Sequence, residues 1–254
     1  MSTSKSRPTA VLIHGLSETR AAWSRQLDFL RQHMRVISYD VRGFGDSPAG
    51  RGDGTVEQFA DDLSQILSSH EASPAWLVGF SMGGVIAQRF AIDFPQMVQG
   101  LVLVASSCVV GRPGQAFFRE RVAQVTQGGL DAVASITDGD ARGCFSSGHE
   151  DLVSEYQQLR CRAVRDPSGY LNACYAMLRL ADEPLMPKLG AISCPTLVLA
   201  AELDPYCPPR ASEMIAGAIP GAEIGVVAGA GHCMHWEAPR ATNEIIRNFI
   251  ERPR

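Results

Sequence analysis

The stretch Gly79-Phe80-Ser81-Met82-Gly83-Gly84 is the part of the chain best suited to covalent chemistry. Ser81 lies between an apolar run, residues 75–78, and a helix-like segment, residues 83–93. A serine in G-x-S-x-G between strand and helix sits on a sharp turn that lifts its hydroxyl above the sheet. Gly79 and Gly83 suit that turn, since side chains there would collide across it. The helix N-terminus beneath the serine favours developing negative charge.

A serine hydroxyl needs a base, and the base needs an orienting acid. Of six histidines (His14, His33, His70, His149, His232 and His235), His232 is the candidate base. It ends the glycine-rich run Ala228-Gly229-Ala230-Gly231 after the last strand-like segment. His235 is the alternative. Asp204 is the candidate acid, deep in the loop after residues 196–200 and before Pro205, with Glu202 as the alternative. Two backbone N–H groups are needed to hold an oxyanion. Met82, directly after the nucleophile, supplies one, and Leu16 in His14-Gly15-Leu16 the other. His14 reads as a brace for that loop. Arg142, Phe80 and Trp236 are the candidates for substrate contact. No His/Cys/Asp/Glu spacing suggests a metal site, and no cofactor is expected.

These residues need a rigid frame. Strand-like runs at 9–13, 35–39, 75–78, 101–105, 196–200 and 223–227 alternate with helix-like segments at 23–33, 56–69, 83–93 and 242–250. Continuously apolar strands between helices predict a mostly parallel sheet covered on both faces, an α/β fold. About ten residues precede the first strand, too few for a further hairpin, so about six strands are expected. Residues 111–189 are helical in pattern without a convincing strand, and are rich in arginine: Arg112, Arg119, Arg121, Arg142, Arg160, Arg162, Arg165 and Arg179. They read as a helical lid inserted into a core formed by residues 1–110 and 190–254. The turn Asp40-Val41-Arg42-Gly43-Phe44-Gly45-Asp46-Ser47 suggests a structural loop with an internal Asp40–Arg42 ion pair.

Composition narrows the partners. The chain has 254 residues, a hydrophobic fraction of 45% and a formal net charge of −4, with no basic tract to follow a phosphate backbone. A small-molecule substrate is expected, with neither nucleic acid nor membrane as partner. The polar N-terminus lacks the apolar run of a signal peptide. Seven irregularly spaced cysteines suit free thiols in a reducing compartment, so the cytoplasm is the expected location. Cys207 and Cys233, close to the acid and base, are placed to line the site.

Taken together, His14-Gly15, Asp40-x-Arg42-Gly43-x-Gly45-x-Ser47, Gly79-x-Ser81-x-Gly83-Gly84, Asp204 and Gly231-His232 resemble the α/β-hydrolase superfamily over nearly the whole chain. Within it the chain looks most like 3-oxoadipate enol-lactonases and related carboxylesterases. The similar stretches are Arg121-Val122-x-x-Val125-x-x-Gly128-Gly129, Gly169-Tyr170-x-x-Ala173-Cys174, and Pro195-Thr196-Leu197-Val198 running on to Asp204-Pro205 and Pro208-Pro209. The resemblance implies hydrolysis of an ester or lactone through an acyl-enzyme. It also implies that a lid arginine, Arg142 first, could orient a carboxylate-bearing substrate. The chain departs from that group in reading Arg142-Gly143-Cys144-Phe145 where an Arg-Trp-Phe is common. Three alternatives stay open: a carbon–carbon bond hydrolase of ring-cleavage products, a cofactor-free perhydrolase, and a ligand-binding receptor with a vestigial triad.

Overall fold

A computed structural model describes residues 7–253. The polar N-terminal stretch considered above lies outside it up to residue 6. Six strands form one sheet in the order β2-β1-β3-β4-β5-β6, and every neighbouring pair is parallel. They are β1 (Thr9–Ile13), β2 (Arg35–Ser38), β3 (Ala75–Phe80), β4 (Val98–Val104), β5 (Thr196–Ala201) and β6 (Glu223–Val227).

Strand residues alternate between two cores, as the two-residue period of a strand requires. Val11, Ile13, Leu77, Leu101 and Leu103 pack on one face with α2 (Val56–Ser69) and α3 (Met82–Asp93). Ala10, Leu12, Trp76, Val78, Val102 and Val104 pack on the other, against Leu30 of α1 (Ser24–His33) and Ile246 and Phe249 of the C-terminal helix Pro239–Ile250. Burial on both faces is why β3 and β5 are apolar and buried throughout.

Between β4 and β5 the chain leaves the sheet for three helices, α4 (Arg112–Gly143), α5 (Glu150–Ala163) and α6 (Pro167–Arg179). Gly129, at φ 57°, breaks α4 into two segments. The insertion contributes to both cores: Val125, Val133 and Met177 join one, and Ala141, Phe145 and Tyr156 the other. The chain then returns through β5, α7 (Pro209–Ala218), β6, the one-turn helix α8 (Met234–Glu237) and α9 (Pro239–Ile250).

The Asp40–Arg42 ion pair expected from the sequence does not form. Asp40 instead accepts from Arg20 Nη1 at 2.8 Å and from the Asp46 N–H at 3.0 Å. Arg42 grips Asp62 of α2. The turn curls through Gly43 and Gly45, both at positive φ, and this directs the two side chains to different neighbours.

Candidate active site

Ser81 stands where β3 passes into α3, at φ 53° and ψ −118°. A non-glycine residue in this region costs roughly 1–3 kcal/mol and persists only where its surroundings over-determine it. Here the Ser81 N–H donates to Val104 O at 2.9 Å, and Ser81 O accepts from Ser106 Oγ at 2.9 Å and from the Gly84 N–H at 2.9 Å. The flanking glycines are sterically required: a Cβ on Gly79 would overlap the Gly83 carbonyl, and one on Gly83 would overlap Ile13 O.

Three side chains distant in sequence form one hydrogen-bonded line. His232 Nε2 lies 3.1 Å from Ser81 Oγ, and His232 Nδ1 lies 2.7 Å from Asp204 Oδ2. Asp204 Oδ1 accepts from the Tyr206 and Cys207 N–H groups at 2.8 and 2.9 Å, so the carboxylate is fully engaged. Burial opposes ionisation of Asp204, yet the facing His232 and these hydrogen bonds bring its pKa below the ordinary carboxylate value. Burial likewise works against the His232 cation, but Asp204 outweighs it and raises His232 above the usual 6.5. In this arrangement Nδ1 carries a proton toward Asp204 and Nε2 is left to accept one from Ser81.

The structure separates the alternatives from these three. Glu202 is exposed, and its carboxylate accepts the Gly229 N–H at 2.8 Å, shaping the loop that carries His232. His235 is fully buried between Phe80 and Trp23, with ring centroids 4.4 and 5.1 Å away. Neither of its ring nitrogens has a hydrogen-bond partner, and its pKa falls to about 3, through burial first and then the charges of His232 and Arg25.

His14 is buried and holds the loop after β1. Its Nε2 accepts the Val41 N–H at 2.8 Å, which leaves Nδ1 protonated to donate to Gly15 O at 2.8 Å. Burial lowers its pKa to about 4, so it stays neutral. Leu16, half-buried, follows in this loop, and Met82 opens α3. Neither the Leu16 nor the Met82 N–H has a protein acceptor among the described residues.

The substrate-contact candidates are placed differently from one another. Phe80 packs its ring against His232 at 4.8 Å between centroids and is 1% exposed. Trp236 is 2% exposed, donates from Nε1 to Ala22 O at 2.8 Å and lies beneath Arg25. The Phe80 ring therefore belongs to the packing around His232, and the Trp236 ring packs against Tyr156, 5.3 Å between centroids. Arg142 is exposed on the last turn of α4, and the buried arginine of the insertion is Arg160, over the Tyr156 ring. Cys233 is buried with its N–H on Cys144 O at 2.8 Å, whereas Cys207 is half-buried beside Asp204. All seven cysteines are free thiols.

Two buried carboxylates not singled out in the sequence tie the insertion to the site loops. Glu237 accepts from Ser146 Oγ at 2.6 Å, Ser146 N at 3.0 Å and Gly231 N at 3.0 Å, with His149 Nε2 at 3.4 Å. Glu18 accepts from the Gly15 N–H at 2.6 Å and from the Tyr156 hydroxyl. Tyr206 also spans the gap, with its ring 5.2 Å from His232 and its hydroxyl donating to Asp140 O at 3.3 Å.

Among the described residues, Asp204, Cys207 and His232 are the grouping whose donor atoms come close enough for a metal ion, within 4.8 Å of one another. The set suits one poorly. Asp204 Oδ2 and His232 Nδ1 are already hydrogen-bonded to each other, and Asp204 Oδ1 accepts the Tyr206 and Cys207 N–H groups, so these donor atoms are committed elsewhere.

A parallel sheet ending in a strained serine, with its histidine and aspartate on later loops, defines a class. The chain belongs to the α/β-hydrolase fold family, whose pattern matches residues 8–239. Among curated proteins it is 29% identical to RutD of Pantoea ananatis, to which carbamate hydrolysis is assigned provisionally, covering 96% of this chain and 88% of that one. It is 27% identical to 3-oxoadipate enol-lactonase 2 of Acinetobacter baylyi, over 97% of this chain and 90% of that one. Among solved structures, a thermophilic esterase from Thermogutta terrifontis is 28% identical and superposes with a TM-score of 0.86, covering 96% and 90% of the two chains. No helix among the described residues is long and apolar enough to cross a membrane.

Proposed function

We propose that this protein is a serine hydrolase that cleaves a carboxylic ester or lactone of a small molecule through an acyl-enzyme. The observation that carries this reading is the Ser81–His232–Asp204 line, with its 3.1 Å and 2.7 Å contacts. Ser81 Oγ attacks the carbonyl carbon as His232 Nε2 takes its proton. Asp204 holds the imidazole tautomer and stabilises the imidazolium. The resulting oxyanion is held by the N–H groups of Leu16 and Met82. His232 then returns the proton to the leaving alkoxide, which in a lactone stays attached to the acyl chain. Water, activated by the same imidazole, releases the acid and restores Ser81.

The three relatives act, by their names, on a carbamate, an enol-lactone and an ester, all of which present an acyl carbon to a nucleophile. The helical insertion serves as the lid over Ser81. Neither a cofactor nor a metal enters the reaction. The free cysteines suit work in the cytoplasm.

The test is a panel of p-nitrophenyl esters and small lactones on wild type and Ser81→Ala. Wild type should turn over at least one class, and the variant should lose on the order of 10³-fold or more in kcat. Near-normal turnover by a folded Ser81→Ala protein would overturn the assignment.

A further inference from the structure

We propose that Glu18 is a positioning residue, joining Tyr156 of the insertion to the loop that presents the Leu16 N–H, so that α5 helps set the reactivity of the Ser81 centre. This rests on the reading of Ser81 as nucleophile and Leu16 as oxyanion donor.

The Gly15–Leu16 peptide is held through Gly15. Its carbonyl accepts from His14 Nδ1 at 2.8 Å, and a planar trans peptide then points the Leu16 N–H the opposite way. Gly15's own N–H is held by Glu18 Oε2 at 2.6 Å. His14 and Glu18 thus grip the two sides of one glycine, a residue with little intrinsic preference for a single backbone conformation. Ser17, at φ 58°, turns the chain so that the Glu18 carboxylate reaches back to Gly15.

Glu18 in turn depends on the insertion. It is fully buried, and its second oxygen accepts the Tyr156 hydroxyl, 138 residues away in sequence. Tyr156 is itself held by Phe145 and Trp236, with ring centroids at 5.4 and 5.3 Å, and by the Arg160 guanidinium 5.6 Å over its ring. A buried carboxylate that loses a donor must find another or reorient, because an unsatisfied buried acceptor is costly. Removing the Tyr156 hydroxyl therefore loosens the carboxylate that holds Gly15. A donor slightly out of place weakens the transition state more than it weakens substrate binding.

The experiment measures kcat and KM on one p-nitrophenyl ester, with inhibition by a matched trifluoromethyl ketone, which adds to Ser81 as a hemiketal oxyanion. The proteins are wild type, Tyr156→Phe, Glu18→Leu and Glu18→Gln. Deleting an oxyanion donor outright costs about 10²- to 10³-fold in kcat, so displacing one should cost about 10-fold in Tyr156→Phe and up to about 100-fold in Glu18→Leu. KM should stay within about 2-fold, and ketone affinity should fall in step with kcat. Glu18→Gln should recover most of the loss, because its amide oxygen can accept from Gly15 while its NH2 donates to the Tyr156 oxygen. If Tyr156→Phe keeps wild-type kcat and ketone affinity, or loses only thermal stability, the proposal is overturned whatever the fate of Glu18→Leu. Fluorophosphonate labelling of wild type separates this from failure of the underlying reading: unlabelled Ser81 removes the nucleophile itself, whereas a labelled enzyme with indifferent variants removes only the role of Glu18.

Discussion

His235 should make the protein acid-sensitive without taking part in its chemistry. Its pKa is about 3 in the folded protein against 6.5 as the ordinary value, because burial and the charges of His232 and Arg25 all resist its protonation. The unfolded chain takes up this proton below pH 6.5 and the native state does not. Its contribution to stability is therefore complete above 6.5 and is lost as pH falls from 6.5 toward 3. At pH 5 the loss is about 2 kcal/mol relative to pH 8, from RT ln(1 + 10^1.5) with one pKa unit equal to about 1.36 kcal/mol. His235→Leu should remove it. The leucine also takes away two buried nitrogens that have no partner, so stability at pH 8 should stay within about 1 kcal/mol of wild type. Urea unfolding of both proteins at pH 8 and pH 5 gives the double difference, in which His14, His232 and Glu18 cancel. Equal losses in wild type and variant would refute the reasoning.

The remaining predictions concern turnover. Asp204→Asn should reduce kcat by on the order of 10⁴-fold by stabilising the wrong imidazole tautomer, whereas Glu202→Gln, altering an exposed loop contact, should stay within about 10-fold. Steady-state kinetics on one substrate decides between them, and the reverse ranking would move the acid to Glu202. Because Asp204 raises the His232 pKa above 6.5, the acid limb of kcat/KM should have its midpoint above 6.5, with activity rising as the imidazole loses its proton. A pH–rate profile with that limb well below 6.5 would contradict a His232 cation stabilised by Asp204.

The scaffold was readable where local pattern and steric necessity coincide. β1, α2 and β6 run over the residues that hydrophobic patterning indicates, and the Ser81 turn has glycines where a Cβ would strike backbone. Helix α7 is harder to read because it is only ten residues long, opens on Pro208-Pro209, which reads as a turn, and buries only Ser212 and Ile215. The partners of Asp40 and Arg42 also escaped, since adjacency in sequence says nothing about the direction in which a turn with two positive-φ glycines sends each side chain. Glu18 and Glu237 look like ordinary solvent carboxylates in sequence. What buries them is the docking of Tyr156 and Ser146 from the insertion, 138 and 91 residues away. The place of the Ser81 turn in the fold was thus legible, and the carboxylates buried beside it by the insertion were not.

The proposed hydrolysis requires Ser81 to be an activated nucleophile. Intact-mass and peptide-mapping spectrometry after a brief exposure to a fluorophosphonate, on wild type and on His232→Ala, tests this most directly. One adduct on Ser81 is expected in wild type, with labelling of the variant slower by about 10³-fold or more once its base is gone. An adduct on another residue, or equal labelling rates in the two proteins, would contradict it.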